Sequence, residues 1–313
     1  MNYVSYINQE LKSFLDGKKD TVLLGQNIGT GSCLSGLTRG LNPDKNSVLL
    51  NTPNCENTLV GVGMGLTLAQ VDCTYFVKQL DFTILGLDQM LNTYNIIRTR
   101  QPQAAFNIFA IVVDSGYEGG QASFNNMQAM SALCDIPCFG IQSKGDADYL
   151  IQDVMRAPGF RIICVSQRMF RDEVILNASP VAETNREINK YSYGSDLAIV
   201  CFNFSLPHGL DVEKHIDSKG FHSSVFTVSA TKIKDWSVLT NELQKFDRVL
   251  LIDDSKSPSL LINELKANLP QERFKALSVI SRQNLKDAWY RPDSEKLEYN
   301  MDKIYQELFV SSN

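Results

Sequence analysis

The residue best placed to do chemistry is Glu56, in the segment SVLLNTPNCENTLVGVGMGLTLAQ. The apolar run predicts a strand ending at Asn51, TPNC a proline-containing turn, and the following apolar repeat a small-residue helix with Glu56 at its start. Two readings of this carboxylate stand open. It complements the positive end of the helix dipole, as acids in first turns often do, or it exchanges a proton with something bound at the helix start. Gly61, Gly63 and Gly65 spell GxGxG, but they lie inside the helical pattern rather than in the strand-to-helix turn. A dinucleotide phosphate would need free backbone N–H groups in that turn, so these glycines read as helix-packing positions. Cys134 and Cys138 are four apart with no nearby Cys or His to complete a zinc site. His208, His215 and His222 fall late in the chain and read as surface or packing residues.

The elements that must hold Glu56 follow from the alternation of apolar runs and amphipathic stretches. TVLLG, SVLLN, CTYFV, FNIFAIVV, PCFGI and RIICVS read as buried strands, with helical patterns such as FTILGLDQMLNTYNIIRTR between them. Strands apolar on both faces, alternating with helices, predict a parallel sheet covered on both sides. A second α/β series follows, through SDLAIVCFNF, SSVFTVSA, RVLLIDD and FKALSVI, with helices between and a closing helix MDKIYQELF. The expected organisation is an N-terminal domain over 1–180, a polar surface linker over 181–193, and a smaller α/β domain over 194–313.

Bulk properties narrow the classes. The 313 residues carry a net charge of −5, with no Lys/Arg cluster, which argues against a nucleic-acid binder. No apolar stretch is long enough to suggest a membrane span, and the first residues are amphipathic rather than signal-like. A cytoplasmic location is the expectation. The seven scattered cysteines, several inside apolar runs, suit a reducing compartment.

A strand, then T-P-x-x-E, then a G-x-G-x-G helix resembles the pyrimidine-binding domain of thiamine diphosphate enzymes. The likeness is above all to beta subunits of pyruvate and branched-chain 2-oxoacid dehydrogenases, and more distantly to transketolases. LLGQNIGTGSCLSGLTRGL resembles the family's first strand and glycine-rich loop, FVKQLDFTILGLDQMLN its strand and DQ-x-x-N helix, and VVDSGYEGGQAS a loop near the substrate channel. The later segments resemble the family's C-terminal domain, chiefly an assembly element, so the likeness runs nearly the whole chain in order. It implies that Glu56 hydrogen-bonds N1′ of the aminopyrimidine, favouring the imino tautomer that deprotonates the thiazolium, while the cofactor supplies the carbanion chemistry. It implies that Phe82 stacks on the aminopyrimidine, with packing in the core as the alternative, and that Gln26 and Leu80 fall at cofactor-contacting positions. Asp88 and Gln89 would stabilise helix or subunit contacts.

The departures from the family pattern are specific. Relatives carry a His after the glycine loop, and here that position falls on Phe124 or Asn125, which become the substrate-channel candidates. Neither carries charge, although Asn125 can donate a hydrogen bond. An acidic residue of the family's first loop is replaced by Gln26. The family's Mg²⁺-binding GDG…N motif is missing, Gly145-Asp146-Ala147 being the nearest stretch. Diphosphate and Mg²⁺ would then be held by an alpha-type partner, in a heterotetramer of two alpha-type and two beta-type chains (α2β2). Three functions are expected candidates: a 2-oxoacid dehydrogenase beta subunit handing an acyl group to a lipoyl or other carrier, the C-terminal half of a split transketolase moving a two-carbon ketol unit, and a catalytically silent regulatory subunit.

Overall fold

The structure is a computed structural model that describes residues 1–16, 18–115, 117–119, 122–123, 125–171, 177, 179–182, 185–256, 260–282 and 297–310. The chain opens with helix α1 (Tyr3–Asp16), whose Tyr3, Ile7, Leu11 and Phe14 recur three or four apart and are buried. Strands β1 (Thr21–Gly25) and β2 (Val48–Asn51) lead into α2 (Glu56–Leu68) and β3 (Asp72–Val77). A helical stretch from Leu80 to Arg100 follows, with α3 (Tyr94–Ile97) as its one regular turn. Next come β4 (Ala105–Val112), the short antiparallel pair β5 (Tyr117–Gly119) and β6 (Ala122–Ser123), and α4 (Met127–Cys134). β7 (Cys138–Ile141), α5 (Lys144–Gln152) and β8 (Gly159–Ser166) complete this half.

The first sheet has strand order β2-β1-β3-β4-β8-β7, and every pairing is parallel. All eight residues of β4 are buried, as expected for a central strand apolar on both faces. The sequence predicts a uniform helix over the FTILGLDQMLN region. Instead the chain makes a 3₁₀ run at Leu80–Gly86 and a π turn at Gln89–Thr93. Close packing onto α2 accounts for the tight first part: a Cβ at Gly86 would meet Val60 at 2.8 Å.

In the second half, β9 (Ser179–Ala182), β10 (Asn185–Lys190) and β11 (Leu197–Phe202) are followed by α6 (Leu206–Ser218) and β12 (Ser223–Val228). Then come α7 (Ser237–Leu243), β13 (Arg248–Asp253), α8 (Leu260–Ala267), β14 (Ala276–Ser281) and α9 (Met301–Tyr305). The sheet order is β14-β13-β11-β12-β10-β9; β10 runs antiparallel to both its neighbours, β12 and β9, and the pairs among β14, β13, β11 and β12 are parallel. Much of the stretch expected as a linker over 181–193 is therefore strand. NREINK offers only one apolar residue, Ile188, to a periodicity argument, and backbone pairing with β12 decides its conformation.

Alternation along the second sheet explains how the halves cohere. Leu197, Ile199 and Cys201 pack into one cluster with Val225, Leu250 and Ile252. Their neighbours Ala198, Val200 and Phe202, with Phe226, Val228, Val249 and Leu251, face the opposite way and join the core of the first sheet. Backbone ties reinforce the seam: the Gly140 N–H donates to the Ser229 carbonyl at 2.7 Å.

Candidate active site

Glu56 is set in place by the end of the first sheet. The Thr52 N–H donates to the Gly25 carbonyl at 3.0 Å, closing the turn that starts α2. Gly25, at φ +154, lies so close to the Phe76 carbonyl that a Cβ there would collide with it. This approach draws Gln26 towards Phe76, Val77 and Lys78. Glu56, Gln26 and Phe82 thereby border one cleft, together with Pro53, Asn54 and Tyr75. Within the helix, Gly63 leaves room for the Phe106 ring and Gly61 for the Gln89 amide, while Gly65 faces open space. Asp88 and Gln89 bond along their own helix, to Asn92 Nδ2 at 2.8 Å and Thr93 Oγ1 at 2.7 Å.

The Glu56 residue is only 7% exposed, yet its carboxylate makes no hydrogen bond or ion pair with any described residue. Burial, and then the Glu56 carboxylate, push the nearby Tyr75 phenol up. The carboxylate oxygens are not closed off from the cleft, and no described residue supplies them a donor. The cleft itself encloses about 10 Å³, no more than a single water requires.

Phe82 is half-buried and borders a second, larger cavity of about 440 Å³. Leu85 and Leu87 from the irregular helix and Met130 and Leu133 from α4 make that cavity mostly apolar. Leu85 and Leu133 are 57% and 55% exposed, so it opens to solvent. Asp81, Asn126 and Lys256 are its polar members, and the Asn126 amide donates to Asp81. Nothing in the local sequence marks Lys256, which arrives from the far end of β13.

No family model matches the chain. It is 21% identical over 290 residues to the mitochondrial 2-oxoisovalerate dehydrogenase subunit beta 2 of Arabidopsis thaliana, covering 88% of this chain and 78% of that protein. It is 20% identical over 307 residues to the pyruvate dehydrogenase beta subunit of Staphylococcus epidermidis, covering 93% and 91%. The fold matches a split-gene transketolase solved as an inactive beta4 tetramer, with TM-score 0.63 and 12% identity, covering 90% of this chain and 89% of that one. The chain is thus similar in sequence to beta subunits of 2-oxoacid dehydrogenases and shares the transketolase-like fold.

Leu80 and Asn125 stand differently from what the resemblance implies. Leu80 is 1% exposed and its side chain packs in the core, away from the linings of both cavities. Asn125 is fully buried at the joint between the halves, where its amide donates to Asp254 Oδ1 at 3.1 Å and its Oδ1 accepts from the Met127 N–H at 3.1 Å. Its carbonyl accepts from the Lys256 N–H at 2.8 Å, and Gln128 donates to Asp253 at 2.9 Å. With both ends of its amide committed, Asn125 acts as a clamp rather than a channel residue. Phe124, the other channel candidate, lies outside the described residues.

The same joint holds a charged network. Arg168 lies 3.3 Å from both Asp114 and Asp254 and donates to the Phe204 carbonyl at 2.6 Å. His208 Nε2 is 2.9 Å from the guanidinium, and burial, then Arg168 and Arg282, pull its pKa down to about 4. A neutral ring accepting from Arg168 at Nε2 has its proton on Nδ1, facing the Tyr299 hydroxyl at 3.1 Å. His215 and His222 sit 3.5 Å from Asp302 and Asp217, respectively. Asp146, in the stretch nearest to a GDG motif, is a helix cap. It accepts from the Ser143 N–H and hydroxyl and the Gln142 N–H, and its other oxygen accepts from Asn189.

Proposed function

We propose that this chain is the beta-type subunit of a thiamine diphosphate-dependent enzyme that decarboxylates a 2-oxoacid with an alpha-type subunit and passes the acyl unit to a carrier. The observation that carries the reading is the Glu56 carboxylate, which meets the cleft without a donor among the described residues, in a cleft too small to hold a ligand alone. An aminopyrimidine fits that chemistry, because a ring nitrogen can share a proton with the carboxylate. When bound, the cofactor would supply the electron sink needed to break the bond beside a carbonyl. Glu56 would hold a proton at N1′, Phe82 would cover one ring face, and Gln26 would close the cleft edge.

The missing part of the site supports a partner chain. Val62 and Gly65 on α2 and Ala69 at its C-cap, spaced three and four apart, are exposed. The diphosphate and Mg²⁺ would be held by the alpha-type chain, since the sequence lacks a GDG…N stretch. A split-transketolase reading has the fold likeness behind it. The mostly apolar cavity beside Phe82 favours the oxoacid, because a sugar would need many more hydrogen-bonding side chains. Calorimetric titration of thiamine diphosphate with Mg²⁺ tests the reading. Binding is expected to the mixture with an alpha-type partner and not to this chain alone. A stable complex that binds no cofactor would favour a silent subunit.

A further inference from the structure

The proposed chemistry uses none of the chain's thiols, and these differ in access. Cys33, Cys73, Cys134, Cys138, Cys164 and Cys201 are buried, whereas Cys55 is half-buried. Burial pushes the thiols of Cys73, Cys134, Cys138, Cys164 and Cys201 up. That keeps them protonated and unreactive, because the thiolate is the nucleophile. A reagent in solution therefore meets Cys55 first.

Cys55 sits where a modification has consequences. Pro53 and Asn54 before it and Glu56 after it border the cleft. Its thiol donates to the Pro53 carbonyl at 3.6 Å on the exposed side of the turn, and it leaves the start of α2 without a side-chain cap. Burial, then Glu56, then Cys55 push up the phenol of Tyr75, a wall of the same cleft, so thiol and carboxylate both lie near that ring. Glu56 is the independent mark of a binding site here. It is 7% exposed, and its carboxylate meets the cleft without a donor among the described residues.

We infer that Cys55 is a reversible thiol-modification site, and that a mixed disulfide formed there closes the cleft to the molecule that Glu56 binds. That this molecule is the cofactor rests on the reading above, and the modification site itself does not. The Cys55 sulfur attacks one sulfur of a small disulfide such as oxidised glutathione. The new S–S bond forms as the old one breaks, the other half leaves as a thiolate, and the Cys55 proton passes to it. Cys55 is oxidised and the departing thiol reduced, with no further oxidant. A glutathionyl group is a tripeptide, far larger than the cleft's enclosed volume of about 10 Å³, so it covers the mouth rather than entering.

Peptide mass mapping after incubation of the full chain with oxidised glutathione tests the site. A single glutathionyl group is expected, on Cys55 and absent in Cys55→Ser. No adduct, or one spread over the other cysteines, overturns the site. Calorimetric titration of thiamine diphosphate with Mg²⁺ into the mixture with the alpha-type partner tests the closing. The modified chain should bind the cofactor roughly tenfold or more weakly, and dithiothreitol should restore the affinity. Cys55→Ser should bind like the parent whether or not oxidised glutathione is added. Equal affinity with and without the adduct overturns the closing, as does sedimentation showing that the adduct merely separates the subunits. An unmodified mixture that binds no cofactor would remove the Glu56 reading and the closing together, while the mapped adduct would stand.

Discussion

Two acids in this chain occupy the same local position and have opposite surroundings. Glu56 begins α2 and Asp146 lies in the first turn of α5. They are 7% and 1% exposed. Asp146 makes a capping box with Ser143 and accepts four hydrogen bonds from Ser143, Gln142 and Asn189. Glu56 accepts none from any described residue, and the residue before it, Cys55, offers no side-chain cap. A carboxylate kept for stability is surrounded by donors, because each unmade bond costs about 1–3 kcal/mol. The bare one is kept for a different reason. The comparison sets Glu56 apart from a capping acid: Asp146, at the third helical position, closes a capping box, whereas Glu56, at the first, makes no such bond.

Replacing each acid by its amide breaks the comparison most directly. Glu56→Gln should lower turnover of the assembled enzyme by roughly 10²–10⁴-fold, the range for losing a positioned proton-transfer group. Stability of the chain should be unchanged, because the carboxylate accepts no hydrogen bond from a described residue that the amide would lose. Near-normal steady-state turnover would remove Glu56 from the chemistry, and a large loss of denaturant stability would return it to a capping role.

Asp146→Asn should show the reverse pattern, with its signature in pH. Burial holds the Asp146 carboxyl up at about 6, against an ordinary 3.8. The folded state therefore binds a proton that the unfolded state has released between those values, and the stabilisation from protonated Asp146 is lost as pH rises through 6. The stability of the parent minus that of the variant should be greater at pH 4.5 than at pH 7 by about 2 kcal/mol. Taking the difference cancels His208, whose lowered pKa of about 4 gives an opposite slope in both proteins. Urea unfolding at the two pH values measures this, and a difference independent of pH would sink the account of Asp146.

The sequence was most legible where one residue type decides conformation. Each apolar run of the first sheet became a strand, and the second series produced β11, β12, β13 and β14 from its four apolar runs. What it hid depends on tertiary contact. NREINK is a strand only because β12 offers an edge to pair with. The pitch changes after Leu80 come from packing on Val60, which no periodicity records. The Ser143–Asp146 box is legible as S-x-x-D before an apolar run. At the site, chain order put Glu56 at a helix start and Phe82 nearby, but Lys256 is 130 residues from Asn126, a separation given by their numbers. The burial of Asn125 is hidden from the sequence because its partner, Asp254, is 129 residues away along the chain.

Phe82 provides the finest division of the comparison, because it stands between the cleft that holds Glu56 and the apolar cavity. A residue that only fills the core would, on truncation to Ala, cost about 3–5 kcal/mol of stability and leave cofactor affinity alone. Phe82 is only half-buried and packs at the edge of the core, so its truncation should cost less than that. Its ring should instead contribute about 1 kcal/mol of stacking to the bound aminopyrimidine, which makes cofactor affinity of the mixed subunits about fivefold weaker in Phe82→Ala. Phe82→Leu keeps the volume but not the π face, so it should recover the stability and leave the affinity low. Equal affinity in Phe82→Leu and the parent would assign the ring to packing, leaving Glu56 as the sole group of this pair that meets the cofactor.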